Sequence, residues 1–375
     1  MAKRAVRLIL IGGFLGAGKT TSMSRLAKHF TDQKLRVGLI TNDQADNLVD
    51  THLVKIEGFN VEEVTGGCFC CKYNDLTNAG KRLLNQIQPD VILAEPVGSC
   101  TDLAATVVQP LKAYAKDDYS LAPYTVLVDP VRIKEIIVSS GTGGFSDKVI
   151  YIFKKQLEEA DIIALNKIDT LNHRESGKLL KILRKKFPQA KIIGMSALTG
   201  EGFDNWLRAL EDKGSSGRNI AEVDYEVYAE GEAELAWLNL VADFSSPEKF
   251  DVNKFLANLT ENIRKGLSAI HAEVAHLKLV FSAPHGSSSI NLTGTNQTVK
   301  FFRKDAGKAK KGQLLVNARV HIDPESLNNI ATSALKDLSK KSKINIKIKS
   351  FQSFRPGKPI PTHRFKTRGL EHSNF

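Results

Sequence analysis

Short apolar runs alternating with helical stretches, a glycine-rich turn opening the first helix, and a change of pattern beyond residue 217 predict an α/β chain of two domains. The first is a mostly parallel sheet covered on both faces by helices, and a smaller α+β domain follows. The length of 375 residues points the same way, because it exceeds what one ordinary core organises.

The elements follow in order along the chain. Ala5 to Ile11 is a short apolar strand. Lys19 to Phe30 has helical spacing, with Leu26 and Phe30 on one face. Leu35 to Thr41 is a second strand. Val91 to Ala94, Thr125 to Val128, Ile162 to Leu165 and Ile192 to Met195 are further apolar runs bounded by turn residues. In such sheets ligands gather outside the carboxyl ends of the strands. The run Lys213-Gly214-Ser215-Ser216-Gly217 predicts a linker over 213–220, which bounds a first domain of 1–212. Strands are then expected at Leu235 to Phe244, His276 to Phe281, Val299 to Phe302, Leu314 to His321 and Ile344 to Phe354. Helices are expected at Val252 to Leu267 and at Pro324 to Leu338, the latter with proline in its first turn. Together these make an α+β domain of 221–354. Lys304 to Gly312 reads as a polar, lysine-rich loop, and 355–375 as a basic tail, extended or partly disordered.

Composition narrows the function classes. An apolar fraction of 42% with 25% charged residues is that of a globular chain. No apolar run approaches the roughly 20 residues that span a bilayer. Met1 to Leu15 is better read as a buried strand entering a glycine loop than as a signal peptide, which places the chain in the cytoplasm. From Lys300 onward there are 18 Lys and Arg against 5 Asp and Glu, an excess that accounts for the net charge of +12. That region is suited to an acidic partner or is a solvated basic face.

Gly13-Phe14-Leu15-Gly16-Ala17-Gly18-Lys19-Thr20 fits the P-loop pattern GxxxxGK[ST] between a strand and a helix, so the first domain is expected to be a P-loop NTPase domain. Gly13, Gly16 and Gly18, with Ala17, let backbone N–H groups face phosphate oxygens at a helix N-terminus. Lys19 is expected to reach the β- and γ-phosphates, Thr20 to bind magnesium, and Thr21 to line the nucleotide. Asn166-Lys167-Ile168-Asp169 follows a strand. An Asp at that place accepts from both N1–H and N2–H₂ of guanine, a donor pair that adenine lacks. Ser196-Ala197-Leu198 ends the next strand and resembles the loop backing the base in GTPases. Glu95-Pro96-Val97-Gly98 offers a carboxylate to hold magnesium through water and a glycine N–H for the γ-phosphate. Asp43 is a second candidate carboxylate, with an Asx turn or helix cap as the alternative. GTP and GDP with magnesium are therefore the expected ligands, and Lys19, Thr20, Glu95 and Asp43 the expected catalytic set.

Three of the four cysteines lie in Gly66-Gly67-Cys68-Phe69-Cys70-Cys71. Cys68, Cys70 and Cys71 are too close in sequence to pair readily with one another. If extended, Cys68 and Cys70 point one way and Cys71 the other, while the glycines permit a turn that gathers all three. Two or three thiolates with a replaceable ligand suit transient binding of zinc first, with copper(I), cobalt(II) or nickel(II) as alternatives. Inert buried cysteines and a redox switch are the other readings. Cys100, five residues after Glu95, is expected to pack, with membership of the thiol site as the alternative.

The set GxxxxGKT, GGCxCC, ExxG, NKxD and SALTGEG, in this order, resembles the CobW-like GTPases, relatives of the GTPases that insert nickel into urease and hydrogenase. The resemblance covers about residues 5 to 210 and implies a metallochaperone or metalloenzyme-maturation role. It implies that Glu95 replaces the Asp usual in other P-loop GTPases, and that Asn42-Asp43 matches the family's Asn-Glu pair. Asp46 and Asp50 fall where that family segment carries acids. The histidine-rich segment of many such proteins is not seen. The expected function is thus a slow GTPase whose nucleotide state is coupled to metal at the CxCC motif. It would deliver a metal, or a metal-containing cofactor, to a client metalloenzyme or cofactor-assembly protein recognised by the C-terminal domain. A homodimer is compatible with this reading, and no membrane partner is expected. A GTP-gated chaperone or activator of a cobalamin-dependent or other metalloenzyme, without metal transfer, is the alternative. An RNA-associated GTPase is a weaker third, since no nucleic-acid-binding motif accompanies the basic region.

Overall fold

The computed structural model describes residues 5–44, 51, 57–212 and 214–366. Asp46, Asp50, Lys213 and the chain beyond 366 lie outside the described residues. The described chain forms two compact units. One runs to Gly231 and includes the segment from Lys358 onward; the other is built from Glu232–Gly357.

The sheet of the first unit has the order β3, β2, β4, β1, β6, β7, β8, where β1 is Val6–Gly13, β2 Val37–Asn42, β3 Asn60–Val64, β4 Val91–Glu95, β6 Thr125–Val128, β7 Ile162–Leu165 and β8 Lys191–Gly194. A short β5, Tyr119–Leu121, pairs with β1. The strand pairs are parallel. β4, β6 and β7 are buried throughout, as apolar strands covered on both faces must be. β3 carries no apolar run because it lies at an edge and buries only Val64. Register sets the strand ends level: Thr41 faces Glu95, Val128 faces Leu165, and Leu165 faces Gly194. Helices α1 Lys19–Asp32, α2 Tyr73–Gln86, α3 Asp147–Glu158, α4 His173–Lys186, α5 Phe203–Leu210 and α6 Tyr225–Ala233 belong to this part of the chain.

The expected linker is not free. The N–H groups of Gly217 and Arg218 donate to the Asp161 carboxylate at 2.5 and 2.8 Å, and Gln109 Nε2 donates to Gly217 O at 2.7 Å. Ser215 and Ser216 are buried. Gly217 has φ 61°, and a Cβ there would come within 2.6 Å of Val108 Cγ1. These small residues serve close packing, and the first unit continues past 220 to Gly231.

The second unit holds an antiparallel sheet of order β12, β11, β10, β13, β9, β14, comprising β9 Leu235–Asp251, β10 Glu273–Ala283, β11 Gly286–Leu292, β12 Lys300–Lys304, β13 Lys308–His321 and β14 Asn345–Phe354. Helices α7 Val252–Ala269 and α8 Pro324–Ser342 cover one face, contributing Phe255, Leu259, Ile263, Leu327, Ala331 and Leu335 to its core. Gly266 lets the two helices approach, since a Cβ there would meet Ile330 Cγ2 at 2.8 Å. The lysine-rich segment Lys304 to Gly312 is a turn and a strand rather than a loop. Gly307 turns the chain at φ 57°, and from Lys308 the sequence joins β13 with Ala309 inward and Lys308, Lys310 and Lys311 outward. Alternation with a single small apolar residue gave no visible strand signal. The tail is without helix or strand over 355–364, in keeping with an extended segment. Residues 358–366 pack on the first unit, where Phe365 is buried.

Candidate nucleotide and thiol site

The P-loop leaves β1 at Gly13, where a Cβ would lie 2.4 Å from Leu127 O. Gly16 and Gly18 take left-handed conformations at φ 79° and 94°. Gly18 is the N-cap of α1, and no side chain caps that helix. Lys19 and Thr20 at the start of α1 and Glu95 at the end of β4 are all buried. Thr20 Oγ1 donates to Glu95 Oε1 at 3.2 Å, and Lys19 Nζ stands 3.9 Å from the same oxygen. Thr21 is partly exposed on α1. Gly98 approaches the loop so closely that a Cβ would lie 2.6 Å from Leu15 Cδ2 and 3.1 Å from Lys19 Nζ.

The base-side motifs meet through Asn166. Its carboxamide donates to Ala17 O at 2.9 Å and accepts from Ala197 N–H at 2.9 Å, tying the P-loop to the loop after β8. Gly18 is required there, because a Cβ would stand 2.4 Å from Asn166 Nδ2. Lys167, held at φ 59°, donates to Gly16 O at 2.7 Å and to Asp129 Oδ2 at 2.5 Å. Asp169 is exposed on the turn Ile168–Thr170, which is fastened to the continuation of β8 by Ile168 N–H to Met195 O at 3.3 Å. Ser196 is buried, and its hydroxyl accepts from Thr199 N–H at 3.1 Å. Arg25 of α1 donates to Ala197 O and Leu198 O at 2.5 and 2.6 Å. Sequence reasoning missed Asp129 and Arg25. Val128-Asp129-Pro130 at a strand end was the available signal for the first, and nothing local marked the second.

Asp43 donates its N–H to Val64 O at 3.1 Å, and its Oδ1 accepts from the N–H of the next residue, Gln44, at 2.6 Å. Its neighbour Asn42 reaches the thiols. The Asn42 carboxamide donates to Val64 O at 2.9 Å and Gly67 O at 2.7 Å, and accepts from Phe69 N–H at 3.0 Å.

Gly66, at φ 76°, starts a turn closed by Cys71 N–H and Lys72 N–H to Cys68 O at 3.0 and 2.9 Å. It gathers all three sulfur atoms: Cys68 to Cys70 2.6 Å, Cys68 to Cys71 3.4 Å and Cys70 to Cys71 3.6 Å. Cys68 and Cys70 are buried and Cys71 is half-buried. Cys100, for which the sequence leaves both packing and a place in the thiol site open, lies with its Sγ 3.8 Å from Cys70 Sγ. The Cys100 thiol and burial push the Cys68 thiol up; Cys70, pressed by Cys100, Cys68 and Cys71, is pushed well up; and Cys71, chiefly through Cys68, rises to about 12. A soft divalent ion bound here would displace thiol protons.

The C-terminal segment crosses this turn. Thr362 donates its N–H to Cys70 O at 2.9 Å and its hydroxyl to Cys71 O at 3.1 Å. Arg364 Nε meets Asp102 Oδ2 at 2.6 Å, where Tyr225 Oη also donates at 2.7 Å, and Phe365 N–H donates to Ala105 O at 3.1 Å. Burial lifts the Asp102 carboxyl above its usual range in spite of Arg364, whereas Arg364, nearer solvent, gains more from the pair than burial removes.

Comparison with known proteins agrees with the motifs. The family model described as CobW/HypB/UreG, nucleotide-binding domain, matches residues 7–194, half of the chain. The zinc chaperone YeiR of Escherichia coli (strain K12) is 32% identical over 170 residues, 44% of this chain and 47% of that protein. The zinc chaperone CobW of a Sinorhizobium species is 29% identical over 182 residues, 44% of this chain and 51% of that protein. The chain thus spans about half the length of the curated relatives it matches. Zn(II)-bound YjiA GTPase from E. coli is 18% identical, with 89% of this chain and 99% of that one covered, at a TM-score of 0.38 that adds nothing to the assignment. On the matched domain and the motifs it carries, the chain belongs to the CobW/HypB/UreG family.

Proposed function

We propose that this protein is a GTP-binding and GTP-hydrolysing metallochaperone that couples nucleotide state to metal binding at Cys68, Cys70 and Cys71 and passes the metal to a client protein. The observation that carries the reading is Asn42, whose one carboxamide spans from the end of β2, beside Asp43, to Gly67 and Phe69 of the thiol turn. The relatives' description as zinc chaperones supports zinc as the metal.

The geometry supports the following roles. The uncapped start of α1 and Lys19 bind and orient the phosphates. Asp169 takes the guanine edge, while Asn166 and Lys167 brace its loop against the P-loop. The Thr20 hydroxyl and Glu95 carboxylate converge as hard oxygen donors and fit magnesium. When bound, that ion neutralises charge on the phosphates. Gly98 keeps its segment against Lys19, so that loss of a γ-phosphate would be felt there. The three sulfur atoms fit a soft cation, and binding exchanges their protons for the ion.

The test is metal titration of the reduced protein with GDP and then with a non-hydrolysable GTP analogue, alongside phosphate release. Metal affinity should differ about tenfold between the two forms, a coupling of about 1.4 kcal/mol. Lys19→Ala should abolish turnover, and Glu95→Gln should impair magnesium-dependent turnover more than nucleotide binding. Equal metal affinity in the two forms would leave a metal store without a GTP gate.

A further inference from the structure

The turn at 66–72 supplies three sulfur atoms from one segment, and a fourth stands beside them on another. Cys68, Cys70 and Cys71 have sulfur atoms all within 4.8 Å of one another, a group that Cys100 does not join. Yet Cys100 is 1% exposed and its Sγ is 3.8 Å from that of Cys70. The thiols are arranged as three plus one. Resting on the reading of this turn as a metal site, we propose that Cys100 is a fourth sulfur ligand, and that the nucleotide loop, acting through residues 95–100, decides whether the ion is held by four thiolates or by three.

Stereochemistry supports the count. Sulfur ligands at about 2.3 Å from a tetrahedral zinc ion stand about 3.8 Å apart. The distances 3.4, 3.6 and 3.8 Å for Cys68–Cys71, Cys70–Cys71 and Cys70–Cys100 are near that edge length. The Cys68–Cys70 distance of 2.6 Å must open by about an ångström on loading. Cys100, already 3.8 Å from Cys70, must also close on the other two sulfur atoms to complete the tetrahedron. Among the described residues no imidazole or carboxylate joins the group to compete for the position.

The lever is short and has little slack. Glu95, at its start, lies against Thr20 and Lys19. Gly98 is packed on Leu15 and Lys19 with no room for a Cβ. Cys100 N–H closes a turn to Val97 O at 3.0 Å, and Gln156 Nε2 donates to both Gly98 O at 3.0 Å and Cys100 O at 2.9 Å. A displacement of Gly98 by the phosphate therefore carries Cys100 with it. Four thiolates make a closed site, whereas three leave one position for an incoming donor. On transfer, the Cys100–metal bond breaks as the acceptor's donor atom binds. The ion keeps its oxidation state, and the Cys100 thiolate takes up the proton that an acceptor thiol gives off.

The experiment is X-ray absorption of the zinc-loaded full chain, with GDP and with a non-hydrolysable GTP analogue, together with zinc affinity by chelator competition. Four sulfur neighbours are expected in one nucleotide state, and three with one lighter atom in the other. Cys100→Ser should show three sulfur neighbours in both states, bind zinc at least tenfold more weakly in the closed state, and lose its nucleotide dependence. Cobalt(II) charge-transfer intensity should fall by about a quarter, one thiolate in four. Three sulfur neighbours in the wild type in every state, or wild-type affinity in Cys100→Ser and Cys100→Ala, overturns the proposal while leaving the three-thiol site intact. A Cys68, Cys70, Cys71 triple serine variant that binds zinc as tightly as the wild type removes the underlying reading as well. If the Cys100 variants fail to fold, the wild-type sulfur count decides alone.

Discussion

Asn42→Ala should loosen the thiol turn without touching a sulfur atom. The 8% exposed Asn42 makes three hydrogen bonds, two as donor and one as acceptor. Val64 O keeps the N–H of Asp43 at 3.1 Å, so its loss is softened. The damage falls on Gly67 O and Phe69 N–H, which lose the Asn42 carboxamide. At about 1–1.5 kcal/mol for each group left without that partner, the turn loses about 2–3 kcal/mol of local stability. That corresponds to roughly 30- to 150-fold faster amide exchange at Phe69 if local opening governs exchange. Metal affinity should fall by up to the same factor, because the ion must then order the turn itself. Asn42→Asp should keep Phe69 protected, since a carboxylate still accepts, while losing the donor to Gly67. Exchange measured by mass spectrometry on the 62–72 peptide, with chelator competition for zinc, reads both effects. Wild-type exchange at Phe69 and wild-type zinc affinity in Asn42→Ala would refute the argument that this carboxamide organises the turn.

Three further outcomes are expected. Asp169→Asn should weaken GTP binding and shift preference toward xanthosine triphosphate, read by competition binding; equal affinity of the wild type for ATP and GTP contradicts the base assignment. Arg364→Ala leaves Asp102, whose side chain is 0% exposed, without its cation, and should cost about 3 kcal/mol against about 1 for Asp102→Asn, read as lost exchange protection at Thr362 and Phe365. Glu159 is fully buried and burial raises its carboxyl well above 4.5, so the folded state holds that proton more tightly than the unfolded state. Stability from this group is present at low pH and lost as pH rises through the raised value. Melting temperatures of Glu159→Gln should therefore gain on the wild type as pH climbs from about 4.5, and a constant difference across pH counts against it.

The nucleotide loops were legible in the sequence because their chemistry is local. A P-loop needs glycines at fixed offsets before Lys19 and Thr20, and NKxD must end a strand, so spacing alone located both. The apolar runs of β1, β2, β4, β6, β7 and β8 were equally plain, since strands buried on both faces cannot be polar. What the sequence hid was set by partners far along the chain. β3 is polar because it is an edge. Ser215 to Gly217 looked like a linker because small residues serve flexibility and close packing alike, and only the Asp161 carboxylate tells which. The approach of Cys100 to Cys70, the pairing of Arg364 with Asp102, and the grip of Asn42 on Phe69 join residues 30, 262 and 27 positions apart. Such contacts carry no spacing rule, because the register of the sheet and the packing of its loops create them, and tertiary structure alone could decide them.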